Sequence, residues 1–172
     1  NHKKAQKRFD EIKVDVIEPY KDRPEEGTLM VNAEFAPIAY PEFQPGPPNE
    51  NSIELARVVD RGIRSAECID VKKLLIKEGK AYGLYIDLYI LDHCGNLTDA
   101  ASLAAMAALT DCKMPTYDET TEKIVRTDEK GKRIGNALPL TRKAFTCTFE
   151  KIEGKSMVDA NNQEEEASQG CL

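Results

Sequence analysis

Three arginines, Arg57, Arg61 and Arg64, recur at i, i+4 and i+7 in the run Glu54-Leu-Ala-Arg-Val-Val-Asp-Arg-Gly-Ile-Arg64. At about 100° per residue they share with Glu54 roughly one quadrant of a helix, beside Asp60. Leu55, Ala56, Val58, Val59, Gly62 and Ile63 take the other side. Arginine keeps its charge at every physiological pH, and its planar fork of donors matches phosphate oxygens. A stripe of this kind therefore suits a polyanion. The competing reading is a solvated helix face in which Glu54 pairs with Arg57 and Asp60 with Arg64.

Three other groupings bear chemistry. Gly95-Asn96 lies between a strand and a helix, where backbone N–H groups favour an anion such as phosphate. No Arg, Lys or Ser reinforces it, and Leu97 stands where a charge would help, so a tight left-handed turn capped by Asn is the simpler reading. His93-Cys94 pairs a base with a nucleophile, but adjacent turn residues rarely aim at one atom and no third group is evident. Asp92 and His93 do not have metal-ligand spacing, and His2 sits in a terminal segment. Asp159 with Glu164, Glu165 and Glu166 offers a carboxylate pair or a Mg²⁺ cage; the alternative is a strand-end aspartate before a capped helix. No metal and no cofactor is expected.

The chain behind these residues has 172 amino acids, enough for one domain with a real core. Its formal net charge is −6, which argues against nucleic-acid binding through bulk charge and leaves only a local patch for that role. No apolar stretch approaches the ~20 residues that span a bilayer. The basic Asn1–Arg8 is not followed by an apolar segment, so a cytoplasmic protein without a secretory signal is expected. Five scattered cysteines with no C-x-x-C read as free, mostly buried thiols rather than as a disulfide framework or zinc site.

The elements that must position these groups follow from periodicity. Residues 1–11 are polar and helix-prone. Alternation predicts a half-buried strand from Ile12 to Pro19, a turn over Tyr20–Gly27 and a second strand over Leu29–Phe35. The prolines of 37–48 are interleaved with Phe35, Ile38, Tyr40 and Phe43, which predicts an ordered loop pinned to the core. Asn51 and Glu54 make a capping box for the arginine helix. Residues 71–77 and 84–91 read as a hairpin around Glu78-Gly-Lys80. Its second strand, with Leu84, Ile86, Leu88 and Ile90 on one face, reads as central in the sheet. Thr98–Leu109 is a buried helix of small residues, and further strands are expected at 122–126, 144–152 and near Met157–Val158, with a charged turn at 128–133. The class is mixed α/β without repeats.

Met30-Val-Asn-Ala-Glu-Phe-Ala-Pro, Pro45-Gly-Pro-Pro, the arginine helix and Ile86-Asp-Leu-Tyr-Ile-Leu-Asp-His-Cys-Gly-Asn-Leu-Thr-Asp-Ala100 together resemble the RNase PH-like proteins, specifically the non-catalytic ring subunits of the archaeal exosome. Phe149-Glu-Lys-Ile152 and Val158-Asp159 extend the match, which covers about residues 12–166. The resemblance implies an RNase PH fold, α and β in layers and related to the second domain of ribosomal protein S5. On that reading 1–11 is an unmatched polar segment and 12–172 a partial RNase PH-like domain, truncated at both ends.

The same resemblance implies a hetero-hexameric ring with a catalytic RNase PH-like subunit, RNA-binding cap subunits and a single-stranded RNA substrate degraded 3′→5′ by phosphorolysis. Active members place Gly-Ser/Thr-Arg on the attacking phosphate; this chain has Gly95-Asn96-Leu97. They carry paired arginines at the start of the first helix; this chain has Pro48, Asn49 and Glu50. Asp159 matches a catalytic aspartate, and the second acidic position falls on Glu165. Arg57 and Arg61, with Arg64 as a further candidate, match residues that reach RNA in the partner's site. The expectation is a non-catalytic, RNA-contacting subunit. The rivals are a phosphorolytic exoribonuclease active alone through Asp159 and Glu165, and a generic α/β binding module.

Overall fold

The computed structural model describes residues 8–121, 123–127 and 134–171. His2, most of the helix-prone segment and the charged turn at 128–133 lie outside the described residues. The strands are β1 (Arg8–Ile17), β2 (Thr28–Phe35), β3 (Leu75–Lys77) and β4 (Lys80–Ile90), followed by the short β5 (Lys113–Met114), β6 (Thr116–Asp118), β7 (Lys123–Val125), β8 (Asn136–Ala137), β9 (Phe149–Ile152) and β10 (Lys155–Val158). The helices are α1 (Glu50–Ser65), α2 (Leu97–Asp111) and the one-turn α3 (Asn162–Glu166).

β4 is the central strand. It pairs antiparallel with β1 from Ala81 to Ile90 and parallel with β2 from Gly83 to Ile90, while β3 folds back on its first residues. The register sets Ile12, Val14, Leu29, Val31, Ala33, Leu84, Ile86, Leu88 and Ile90 on one face. That face meets Leu55, Val59 and Ile63 of α1 and Ala101, Ala105, Met106 and Leu109 of α2 in a single core. The other face is polar, with Asn32 donating to the Asp87 carboxylate at 2.9 Å. Two layers, helices on a mixed sheet, are thus dictated by the period-two pattern of β4 and its neighbours.

Several expected boundaries move. β1 begins at Arg8 because β4 runs to Ile90, and its backbone groups there find partners only if β1 extends to meet them. Val71–Leu74 is a 3-10 turn rather than strand, because the Asp70 side chain accepts the Lys72 N–H and caps it. Of the strand expected at 144–152, only Phe149–Ile152 joins a ladder. α2 is covered on one side only: Leu103 is 58% exposed. All five cysteines are free, but only Cys68 is buried; Cys94, Cys147 and Cys171 lie outside the core and are exposed. Among the described residues no helix is long and apolar enough to cross a membrane.

The proline-rich loop is held by its aromatic residues, whereas Ile38, also expected to pin it to the core, is 83% exposed. Phe43 stacks between Phe35, at 4.7 Å, and His93, at 5.5 Å, with Tyr40 edge-on to both Phe43 and His93. His93 is therefore an aromatic packing element. Burial lowers its basicity against the opposing pull of Asp92.

Candidate functional site

The N-cap of α1 is Asn49, two residues before the expected cap. The Asn49 side chain accepts the Ser52 N–H at 2.8 Å, and the Ser52 hydroxyl donates back to the Asn49 carbonyl at 2.9 Å. Asn49 is the first residue after Pro47-Pro48 with a side chain able to cap, so the helix begins as soon as the prolines end. Its inner face buries Ser52, Leu55, Ala56, Val59 and Ile63. Glu54, Arg57, Arg61 and Arg64 are exposed on the outer face, and so is Val58, which the helical period had set on the buried side.

The three arginines divide. Arg64 donates through Nε to both carboxylate oxygens of Asp60, at 2.9 and 2.8 Å, and through Nη2 to the Leu29 carbonyl on β2. It fastens the last turn of α1 to the sheet, and this pair is the one that the solvated-face reading had foreseen. Arg57 and Arg61 form no ion pair with a carboxylate among the described residues. They line a shallow groove with Glu50, Ile53, Glu54 and Val58. Two guanidinium groups one helical turn apart, neither of them ion-paired among the described residues, can each meet a phosphate.

The strand–helix turn is built differently. Gly95 has φ +94°, and Asn96 takes φ 49°, ψ 49°, the left-handed conformation expected of this pair. A Cβ on Gly95 would stand 2.7 Å from Cα of Asn161, so the turn packs directly under the start of α3. Asn96 does not cap α2 with its side chain. Its Nδ2 donates instead to Asp99 Oδ2 at 3.1 Å and to Asp159 Oδ1 at 3.3 Å, and its Oδ1 is buried without a hydrogen-bond partner among the described residues. Its backbone N–H, the group that would face a bound anion, donates to Glu165 Oε1. The seat for an anion at the first turn of α2 is filled by the chain's own carboxylate.

The acidic run is likewise sorted by the fold. Glu164 completes a capping box with Asn161, at 2.8 and 3.1 Å. Glu165 turns inward to Asn96, and Glu166 is exposed. Burial raises the Glu165 carboxyl above its ordinary value against the Asn96 N–H, which pulls it down, while the Glu150 charge adds to the rise. Asp159 and Glu165 thus converge on Asn96, one at its side chain and one at its backbone. Among the described residues no cluster of His, Cys, Asp or Glu fits a metal ion.

Sequence reasoning missed the supports of this turn. Thr148 donates to Asp99 through both its N–H, at 3.0 Å, and its hydroxyl, at 2.7 Å. Burial would raise the Asp99 carboxyl, but the bonds from Thr148, Asn96 and Thr146 outweigh it and hold the group below the usual aspartate range. Glu150, 8% exposed, accepts the Ser168 hydroxyl at 2.6 Å. Burial and the Glu150 carboxylate push the Cys171 thiol up to about 11, so it is no nucleophile near neutral pH. These partners lie far apart in sequence.

Comparison with known proteins gives this arrangement a family. The sequence profile of the 3′ exoribonuclease family, RNase PH domain 1, matches residues 11–115. The chain belongs to the RNase PH family. It is 46% identical over 157 residues to the exosome complex component Rrp42 of Thermococcus gammatolerans and 44% identical over 158 residues to that of Aeropyrum pernix. These alignments take in 90% and 91% of this chain and 56% of each relative, so the chain spans little more than half their length. The fold matches a solved Archaeoglobus fulgidus exosome with RNA bound to the active site, with a TM-score of 0.83 and 39% identity over 95% of this chain and 61% of that one. An archaeal exosome core matches with a TM-score of 0.75 and 36% identity, over 95% of this chain and 58% of that one. The RNase PH fold expected from the motifs is therefore the fold observed.

Proposed function

We propose that this RNase PH-family chain is a non-catalytic, RNA-contacting subunit of an exosome-type ring, cytosolic and of archaeal kind. In this reading it completes the site of a catalytic RNase PH-like partner that shortens single-stranded RNA 3′→5′ by phosphorolysis, beneath RNA-binding cap subunits. The observation that carries the proposal is the occupied turn: Glu165 accepts the Asn96 N–H where an attacking phosphate would need that donor. Phosphorolysis depends on positioning and neutralising that phosphate. A carboxylate in its place repels it, and Leu97 supplies no compensating charge. Arg57 and Arg61 remain open for a strand held mainly by a neighbouring subunit. Similarity to Rrp42 relatives and to an RNA-bound exosome supports the same assignment.

The test is phosphate-dependent release of nucleoside diphosphates from a tailed RNA, by this chain alone and after co-expression with a catalytic-type partner. Release is expected only with the partner. Release by the chain alone would overturn the reading and make Asp159 and Glu165 its catalytic pair.

A further inference from the structure

We propose that the groove between α1 and the loop after β1 seats one nucleobase of a single-stranded RNA on the Tyr20 ring, next to the phosphate contact at Arg57. The proposal rests on the RNA-contacting role of α1 argued above and adds a residue and a mode of contact to it. Tyr20 and Arg57 line one groove together with Arg23, Glu26, Asp60 and Arg64. Tyr20 is 56% exposed. Its loop is held in shape, since Pro19 and Pro24 bracket it and the Arg23 N–H closes a turn on the Tyr20 carbonyl at 2.9 Å. A ring on a fixed turn loses little freedom when a base settles on it.

The balance of charge within the groove explains why a ring is needed there. Arg64 is bound to Asp60, and Arg23 stands 3.9 Å from Glu26. Asp22 also lines the groove. The groove thus holds three arginines and three carboxylates, and of its arginines only Arg57 is without an ion pair among the described residues. A strand following this groove must gain its remaining affinity from a contact that charge does not provide. Base–aromatic stacking is such a contact, and it accepts every base, as a subunit handling RNA of any sequence requires. The two contacts carry different signatures: stacking is nearly insensitive to salt, whereas a phosphate contact releases counterions.

The experiment uses the full chain, alone and co-expressed with a catalytic-type partner, with a labelled oligoadenylate and an abasic oligomer of the same length as probes. Tyr20→Ala is expected to weaken oligoadenylate binding about tenfold with an unchanged salt slope, and Tyr20→Phe to bind as the parent does. The abasic oligomer should not distinguish Tyr20→Ala from the parent. The chain contains no tryptophan, so Tyr20→Trp gives a single reporter whose fluorescence should be quenched by the oligoadenylate and not by the abasic strand. If Arg57→Ala weakens binding while Tyr20→Ala does not and the Tyr20→Trp variant stays bright, the stacking proposal fails and the arginine reading stands. If neither Arg57→Ala nor Tyr20→Ala changes binding, or neither preparation binds RNA, both fail.

Discussion

The outer face of α1 and the first turn of α2 are both places where this fold can meet an anion, and they are finished in opposite ways. On α1 the anchoring work is given to Arg64, which holds Asp60 and the Leu29 carbonyl, and this leaves Arg57 and Arg61 uncommitted. On α2 the donors of the turn are committed: the Asn96 nitrogens to Asp99, Asp159 and Glu165, while Asp99 also accepts from Thr148. Open donors bind ligands; satisfied donors hold structure. The contrast teaches that a helix N-terminus behind a glycine turn is not by itself a phosphate site. What decides is whether the chain brings its own acid to it.

The comparison breaks most sharply at two glycines. Gly95 has a positive φ and lies directly under Asn161, so Gly95→Ala should cost about 2–4 kcal/mol and separate α3 from α2. Gly62 lies within α1 with open space around its Cα, so Gly62→Ala should stabilise by up to about 1 kcal/mol. Urea denaturation of the two variants checks both signs. Equal effects at the two sites would mean that the turn is not the rigid structure described.

The open donors of α1 are tested by removing them together. Arg57→Ala with Arg61→Ala is expected to weaken single-stranded RNA binding by the assembled complex at every sequence tried. The dependence of log affinity on log salt should shallow by about 0.7 for each phosphate that is no longer neutralised. Neither side chain is buried or ion-paired among the described residues, so stability should change by less than about 0.5 kcal/mol. An unchanged affinity and slope would return this face to the solvated-helix reading. Arg64→Ala serves as the counterpart: it should loosen α1 from β2 and cost stability.

What was legible in the sequence depended on how locally it is determined. The arginine stripe, the core face of β4 and the Gly95-Asn96 turn follow from periods of about two and 3.6 residues and from one dipeptide, and all three are present. The start of α1 was misplaced because Asn49 and Asn51 both satisfy a local capping rule, and the prolines before Asn49 decide between them. The division of labour among the arginines was not legible, since Arg64 is distinguished by Leu29, 35 residues away. The filling of the α2 turn was less legible still. Glu165 reads as one of three consecutive acids, and only the 69-residue closure onto Asn96 separates it from its neighbours.

The smallest effect concerns charge within the α2 turn, where two carboxylates shift in opposite directions. The Asp99 carboxyl is depressed in the folded chain, so its contribution to stability is present above the ordinary aspartate range. It is lost as pH falls through the depressed folded value, below that range. Asp99→Asn should therefore remove part of the acid-side loss, after an overall cost of about 1–2 kcal/mol for misdirecting Thr148 and Asn96. The Glu165 carboxyl is raised, so the sign reverses. Its contribution is full below the ordinary glutamate range and is lost as pH rises through the raised folded value. Glu165→Gln keeps an oxygen for the Asn96 N–H and removes the partly buried charge. It should leave stability near pH 4 almost unchanged and raise it slightly at neutral pH, since solvent screens a carboxyl that is about half exposed. Urea midpoints of the two variants and the parent across pH would resolve these opposite slopes. A Glu165→Gln variant that loses stability at neutral pH would show that the carboxylate charge itself, drawn to the start of α2, holds the turn closed.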